Sequence, residues 1–380
     1  MSEQFFKRLE NELNIIRENN HFREVQGYPE CKINLCANDY FQLRRDARVI
    51  EGAKIACEKY GTGSGASPLL SGFLPCHQSL LDQLLNWKHK THGMLFNSGF
   101  MANQAVLKHL PGKNDIVLAD KLIHHSIAQA LLQGTARFKR YHHLDLEHLR
   151  ELLETHHKEY ETVFVVTESI FSMDGDYPDL KKLVALKQDY PFILILDEAH
   201  GTGVFGETGG GLAEAMQVQN QVDILIGTLG KSLASMGAYV LTDSSTIIDF
   251  LVNRAGEFIY STFLSPAQVG SAETALKILQ AAQEERRYLQ EISRSFRKIL
   301  KINGWEEILY PSPIIPLIIG DPVKTIELRN NLLQHGIMVG AIRPPTVQPQ
   351  TSRLRISLHT GIKLQTLEML GELLAPWIKS

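Results

Sequence analysis

The chain has 380 residues, of which 44% are hydrophobic and 21% are charged, a composition typical of globular proteins. Its formal net charge of −3 excludes a strong general attraction to nucleic acid or to acidic membranes. No apolar run approaches the roughly 18 residues needed to cross a bilayer, so we expect a soluble protein of two to three domains.

The first segment, 1–40, predicts an amphipathic helix followed by an irregular arm. Phe5, Leu9, Leu13 and Ile16 recur at helical spacing within a charged stretch, and we expect this face to be packed. The stretch lacks the pattern of a secretory signal. The four cysteines form no C-x-x-C pair, which favours reduced thiols in a cytoplasmic protein without a metal site.

The second segment, 41–270, alternates helical patterns with short apolar runs. The runs predicted to form strands are 93–96, 115–119, 162–167, 192–196, 223–227 and 238–241. Apolar strands separated by helices indicate a large α/β domain around a mostly parallel sheet that is covered on both faces.

The last segment, 271–380, predicts a smaller α+β domain. A long helical pattern opens at Pro266 and continues to about residue 302. The later elements are predicted strands at 314–319, 337–341 and 353–358, a helix at 323–334 and a closing helix that ends near Trp377.

Reactive groups follow several of the predicted strands in the large domain. Asp197 follows the strand 192–196, and His200 comes three residues later. Lys231 lies in a turn of small residues after the strand 223–227, and Ser98 precedes a predicted helix start. Ligands collect at the carboxyl ends of strands in open α/β sheets, and a helix start suits a phosphate. An acid, an imidazole, an amine and an anion site together match the needs of pyridoxal 5′-phosphate.

Other ligands are less compatible with the same residues. A phosphate-binding P-loop that ends at Lys231 requires glycine where this chain has Leu225. The glycines of 201–206 fit a dinucleotide fingerprint, but His200 separates them from the strand and glycines 209–211 interrupt the following helix. No serine satisfies the G-x-S-x-G pattern of α/β-hydrolases.

Four segments together resemble the α-oxoamine synthases, which are pyridoxal-phosphate enzymes that condense an amino acid with an acyl thioester and release carbon dioxide. The segments are SGFMAN at 98–103, TESIFSMDGD at 167–176, DEAHGTG at 197–203 and TLGK at 228–231. The resemblance runs in order over nearly the whole chain. It implies a fold-type I pyridoxal-phosphate-dependent transferase, similar to aspartate aminotransferase, with a large mostly parallel sheet domain (41–270) and a small α+β C-terminal domain (271–380).

The resemblance also implies roles around the cofactor. Lys231 would carry the covalent link to pyridoxal phosphate, and Asp197 would pair with the ring nitrogen. His200, with Ser172 close by, would bond the phenolic oxygen, and His124 would stack on the ring.

The phosphate site implied by the family extends across a subunit interface. The residues expected to hold the phosphate are Ser98, Gly99, Phe100 and Thr228. Thr262 would reach the same phosphate from the partner subunit of a homodimer.

The substrate residues implied by the resemblance lie near the chain ends. Arg355, assisted by Asn38, would bind the amino-acid carboxylate, because a guanidinium meets a carboxylate with two parallel bonds. Arg23 and Thr346 would contact the acyl substrate.

Within the family, the segment IRPPTV at 342–347 most resembles the members that serve biotin synthesis. Their substrates, L-alanine and pimeloyl-CoA or pimeloyl-carrier protein, are therefore the expected ones. The alternatives are glycine with acetyl-CoA, as in glycine C-acetyltransferase, another α-oxoamine synthase activity, and aminotransfer.

Overall fold

The computed structural model describes residues 3–25, 27, 31–306 and 308–378. The chain forms two compact units. The large unit comprises Asp39–Ser172 and Asp176–Leu289, and the small unit comprises Met1–Asn38, Met173–Gly175 and Gln290–Ser380. Helix-forming residues near both ends of the described chain therefore belong to one unit.

The helices and strands are numbered in chain order. The α-helices are α1 Glu3–Glu18, α2 Ala47–Tyr60, α3 Pro75–Lys88, α4 Gly99–His109, α5 His125–Gln133, α6 Leu146–His156, α7 Leu180–Ala185, α8 Leu212–Ala215, α9 Ser245–Arg254, α10 Gly256–Ile259, α11 Pro266–Ala281, α12 Gln283–Ile302, α13 Pro322–Gln334 and α14 Leu364–Leu374. The strands are β1 Ile33–Asn34, β2 His92–Phe96, β3 Ile116–Asp120, β4 Arg137–Tyr141, β5 Val163–Glu168, β6 Ile193–Asp197, β7 Ile224–Thr228, β8 Ala238–Thr242, β9 Ile314–Gly320, β10 Ile337–Met338, β11 Gly340–Ile342 and β12 Ser352–Ser357. Short 3₁₀ turns lie at Leu43–Arg45, Leu186–Gln188, Gln219–Gln221 and Ala375–Trp377, and a π-type turn lies at Pro68–Gly72.

The large unit contains a seven-stranded sheet in the order β2-β8-β7-β6-β5-β3-β4. Strand β8 runs antiparallel to both of its neighbours, and the remaining neighbouring strands pair in parallel. Every residue of β3 and β5 is buried, which explains their uninterrupted apolar sequences. The prediction of a mostly parallel sheet is confirmed.

The predicted strands of the large domain all form, and no strand end differs from the prediction by more than one residue. Strand β4 was not predicted, because four of its five side chains are exposed or half-buried and only Tyr141 is buried. The long helical pattern that opens at Pro266 is two helices, α11 and α12, which are separated at Ala282. The Arg286 side chain donates to the Leu279 carbonyl at this break.

The small unit contains a three-stranded antiparallel sheet, β11-β12-β9, and a parallel pair, β1-β10. The single strand predicted at 337–341 is therefore two strands in different sheets. Helix α1 forms where predicted within the described residues, whereas Met1 and Ser2 lie outside them. The expectation of a packed face is wrong for this chain, since α1 has no buried residue.

Every residue of β12 is buried, and Leu354 and Ile356 of this strand belong to the apolar core. In the described part of the chain, no helix is both long and apolar enough to span a bilayer.

Candidate active site

Five parallel strands of the large unit bring the predicted cofactor residues to one edge of the sheet. Asp197 is the last residue of β6, and Lys231 follows β7 by three residues. Ser98 follows β2, His124 follows β3 and Ser172 follows β5. Because the carboxyl ends of these strands share one edge, residues spread over more than 130 positions become neighbours.

Asp197 is buried and held by two donors. Its Oδ2 accepts a hydrogen bond of 2.9 Å from the Asn103 side chain on α4, and its Oδ1 accepts one of 2.9 Å from the Ala199 N–H. The same Asn103 amide donates to the Ser126 hydroxyl at 3.0 Å. These bonds fix the carboxylate in a single orientation, and sequence reasoning gave Asn103 no role of its own.

His124 caps α5 and is the next group in this chain of contacts. Its Nδ1 accepts from the Ser126 N–H at 3.2 Å and lies 2.7 Å from the Ser126 hydroxyl. Since Asn103 already donates to that hydroxyl, the hydroxyl donates to Nδ1, and the ring proton lies on Nε2. Partial desolvation lowers the pKa of His124; the Asp197 carboxylate opposes this effect and the Lys231 charge adds to it. The ring is therefore neutral at pH 7.

Glu168 ends β5 in register with Asp197 and is fully buried. Its carboxyl group accepts a hydrogen bond from the backbone N–H of His124. Burial, reinforced by the negative charge of Asp197, raises the pKa of Glu168 well above its usual value.

His200 lies in the turn after β6 and is buried. The Tyr40 hydroxyl lies 2.7 Å from its Nδ1. Tyr40 is completely buried, so this contact fixes the plane of the His200 ring. Sequence reasoning did not select Tyr40, because 160 residues separate it from His200.

The start of α4 faces the end of β7. The Ser98 hydroxyl accepts from the Met101 N–H at 3.3 Å and so caps the helix. A Cβ added at Gly99 would have the side chain of Thr228 as its nearest neighbour, at 3.9 Å. The next helical residue, Phe100, is exposed. The first turn of α4 therefore lies beside a threonine, and the free backbone N–H groups of a helix start suit an anion.

The Thr228 hydroxyl is oriented by its own turn. It donates to the Gly237 carbonyl at 3.0 Å and accepts from the Gly230 N–H at 3.1 Å. Thr262 is exposed, and its carbonyl accepts a hydrogen bond of 2.7 Å from the Asn97 side chain. Asn97 directly precedes Ser98 in the sequence. Its proposed contact with the phosphate of a partner subunit stays a prediction.

Lys231 is half-buried, and its carbonyl closes the turn by accepting from the Ala234 N–H at 2.9 Å. Its ammonium charge acts to lower the pKa values of both His124 and Glu168. The amine therefore lies within electrostatic range of both groups. Ser172 is half-buried in the turn after β5.

The groups at this edge fit pyridoxal 5′-phosphate. They supply an amine for its aldehyde, a buried carboxylate for its ring nitrogen and a neutral imidazole for its ring face. The helix start has no side chain at Gly99, so backbone amides are accessible to a phosphate.

The predicted substrate residues lie in the small unit, where they form two pairs. The buried Arg355 donates to Asn38 Oδ1 at 3.0 Å and to the Ser357 hydroxyl at 2.7 Å. Arg23 donates to the Thr346 hydroxyl at 2.9 Å, and both residues are exposed. Each predicted pair is thus in direct contact.

The small unit also contains a cavity of about 640 Å³. It is lined by Phe22, Arg23, Glu24, Cys36, Ile326, Arg329, Leu333, Met338, Val339, Gly340, Ala341, Ile342 and Arg343. Burial raises the pKa of the Cys36 thiol to about 11, although Arg355 and Arg329 oppose the shift. The cavity wall has mostly apolar side chains, and its polar groups are the Cys36 thiol, the Glu24 carboxyl group and three guanidinium groups. The sequence predicted Arg23 here, but not Arg329 or Arg343.

A family model and the sequences of curated proteins match this chain to the same enzyme family. Residues 30–373 match the family described as aminotransferase class I and II. An 8-amino-7-oxononanoate synthase of Geobacter sulfurreducens is 40% identical over 326 residues, which cover 85% of this chain and 83% of that protein.

Solved structures agree with the sequence comparison. A serine palmitoyltransferase (SPT) structure with a PLP internal aldimine is 27% identical, with a TM-score of 0.90 and coverage of 98% of both chains. An 8-amino-7-oxononanoate synthase of Francisella tularensis is 28% identical, with a TM-score of 0.80, and covers 91% of this chain and 98% of its own.

Proposed function

This chain belongs to the class I and II aminotransferase family and, within it, to the α-oxoamine synthases, and we propose that it acts as an 8-amino-7-oxononanoate synthase. The reaction joins L-alanine to a pimeloyl thioester and yields 8-amino-7-oxononanoate, carbon dioxide and a free thiol. The observation that carries the proposal is the convergence of Lys231, Asp197, His200 and His124 at one sheet edge. The relatives at 40% identity support the choice of substrates.

When bound, pyridoxal 5′-phosphate supplies an aldehyde that takes up the amino acid and a ring that withdraws electrons from its Cα. Lys231 would hold the cofactor, Asp197 would keep its ring nitrogen protonated and His200 would donate toward its phenolic oxygen. Ser98, Gly99, Phe100 and Thr228 hold the phosphate.

Lys231 also moves the essential proton. With the amino acid carried by the bound cofactor, the Lys231 Nζ would be free to accept the proton from the alanine Cα. A general base works best when its pKa lies near the operating pH. A neutral His124 would cover the cofactor ring without adding a second positive charge near that amine.

The small-unit residues bind and select the substrates. Arg355, oriented by Asn38 and Ser357, takes the alanine carboxylate through parallel hydrogen bonds. Arg23, held by Thr346, binds the acyl chain. A mostly apolar cavity with cationic residues suits a long dicarboxylic acyl group better than an acetyl group.

We place the enzyme in the cytoplasm as a homodimer, in which Thr262 of each subunit reaches the phosphate of the other. The acyl donor is pimeloyl-CoA or the corresponding carrier-protein thioester.

The test follows thiol release by protein loaded with pyridoxal phosphate. L-Alanine is paired with pimeloyl-CoA and with pimeloyl-carrier protein, and glycine with acetyl-CoA is run in parallel. We expect release that depends on alanine and a pimeloyl donor, with 8-amino-7-oxononanoate as the product. Faster thiol release from glycine and acetyl-CoA would contradict the proposed substrates, although it would still support the condensation reaction of the family. Amino transfer to 2-oxoglutarate without thiol release would reject the condensation.

A further inference from the structure

His143, just after β4, lies between two carboxylates of the large unit. Its Nδ1 is 2.8 Å from Asp120 Oδ1, and its Nε2 is 2.8 Å from Asp176 Oδ2. Ionised carboxylate oxygens can only accept, so both ring nitrogens must donate and the ring is an imidazolium. Burial opposes this charge, but the bonds to Asp120 and Asp176 raise the pKa of His143 to about 10.

Asp120 connects this ring to the segment that leads into His124. It ends β3, is completely buried and accepts the Leu122 N–H at 2.8 Å through Oδ1. Its Oδ2 accepts the Leu144 N–H at 2.9 Å. Leu144 has a φ of 56°, an uncommon conformation for a residue with a large side chain. Asp120 therefore holds the turn after His143 in a strained backbone conformation.

Asp176 connects the ring to the turn that carries Ser172. Its carbonyl accepts the Phe171 N–H at 2.9 Å, which closes the turn around Ser172. The Phe171 ring meets the His143 ring edge-on, with centroids 4.5 Å apart at 89°. His143 thus contacts both ends of this turn.

We propose that His143 is a positioning residue, which ties the segment leading into His124 to the turn carrying Ser172 through its bonds to Asp120 and Asp176. The bonds from His143 to the Asp120 and Asp176 carboxylates connect the chain segments that follow β3 and β5. This proposal rests on the proposed function, because it concerns the residues assigned to the face and the phenolic edge of the cofactor ring. His143 itself touches neither cofactor nor substrate.

The test compares His143→Gln with His142→Gln. Glutamine places one donor and one acceptor where His143 has two donors, so one carboxylate faces an oxygen. His142 is a matched control, since its side chain is 69% exposed and belongs to the same segment. The readouts are the dissociation constant of pyridoxal phosphate and the circular dichroism of the bound cofactor. A separate melt of the apoprotein reports stability.

We expect His143→Gln to weaken cofactor binding by about tenfold and to reduce the cofactor dichroism, while His142→Gln matches the wild type. Adding Asp176→Asn to His143→Gln supplies a donor for the glutamine oxygen and should restore most of the affinity. If His143→Gln does not fold, Asp176→Asn alone serves as the milder variant, with a smaller loss expected.

Three results would overturn the proposal. A lower melting temperature with wild-type affinity and dichroism would make His143 a structural residue only. Failure of the double variant to recover affinity would show that the bridge is not the cause. If the wild type takes up no pyridoxal phosphate, the proposed function fails and the proposal fails with it.

Discussion

The large and small units assemble their candidate site residues in different ways. In the large unit, Asp197, Lys231 and His124 lie at or just after the ends of neighbouring strands, so the backbone ladder of the sheet fixes their spacing. In the small unit, Arg355 contacts Asn38 across 317 residues, and Arg23 contacts Thr346 across 323. A backbone hydrogen bond from the Ser357 N–H to the Leu35 carbonyl also joins the segments of the first pair, whereas Arg23 and Thr346 meet through their side chains.

The difference has a chemical consequence. Residues fixed by a rigid sheet suit steps in which a proton and a charge must be placed accurately. Residues on an arm and a loop, such as Arg23 and Thr346, suit recognition, which varies between enzymes that share the same chemistry. Arg355 instead lies on the buried strand β12. Substitutions in the large unit should therefore lower kcat, whereas those in the small unit should change KM and substrate preference.

The largest effect is expected for Lys231→Ala. The variant lacks the amine that we propose to hold the cofactor and to take the Cα proton, so turnover should fall by at least about 10³-fold. The visible absorption of the bound cofactor should change at the same time. Lys121→Ala, at an exposed lysine beside the same sheet edge, is the control. Turnover in Lys231→Ala close to that of the control would reject the assignment.

Asp197→Asn should have the next largest effect. The amide is nearly the same size but cannot balance a protonated ring nitrogen, so kcat should fall by roughly 10²- to 10³-fold. Cofactor binding should persist, since the phosphate residues are unchanged. The measurement is steady-state kinetics at saturating alanine. Normal kcat with bound cofactor would remove the role given to Asp197.

In the small unit, Arg355→Lys should raise the KM for alanine by about 10- to 100-fold with a smaller change in kcat. Lysine cannot supply the parallel pair of hydrogen bonds that a guanidinium gives to a carboxylate. Arg353→Lys is a control on the same strand, because Arg353 instead bonds to the Met173 carbonyl and Asp174. Equal effects of the two substitutions would argue against a specific carboxylate site.

Arg23→Gln should change preference more than rate. Because Arg23 is exposed, we expect a loss of only about fivefold in kcat/KM for pimeloyl-CoA. Heptanoyl-CoA has the same chain length without the distal carboxylate and should be unaffected. The two donors are compared in parallel assays. An equal loss of kcat/KM for both donors would mean that Arg23 does not bind the distal carboxylate.

The sequence predicted the fold wherever burial leaves an apolar pattern. Strands β3 and β5 could be predicted because both of their faces are covered. The polar edge strand β4 could not, because its side chains are largely exposed and it is held by backbone bonds to β3 alone. The separation of β10 from β11 depends on which strands they pair with, and no local pattern encodes that choice.

The same limit applies to the candidate site. Asp197 and Lys231 can be predicted from sequence because each follows an apolar strand directly. Asn103 and Tyr40 act through hydrogen bonds to residues 94 and 160 positions away, so their roles emerge only once the chain is folded. Such residues position the chemical groups without belonging to a recognisable motif.

The last prediction concerns the charge of His143. We expect it to affect turnover at neutral pH least of all, so the quantity to measure is the free energy of unfolding. Its pKa is about 10 in the folded protein and near 6.5 when unfolded. Its stabilising contribution should be complete below pH 6.5 and should be lost as the pH rises toward 10. The slope should be at most about 1.4 kcal/mol per pH unit. Denaturant unfolding of the wild type and His143→Gln across this range should show their difference narrowing with pH. A constant difference would mean that the ring is neutral when folded, which would leave one of its two carboxylates facing an unprotonated nitrogen.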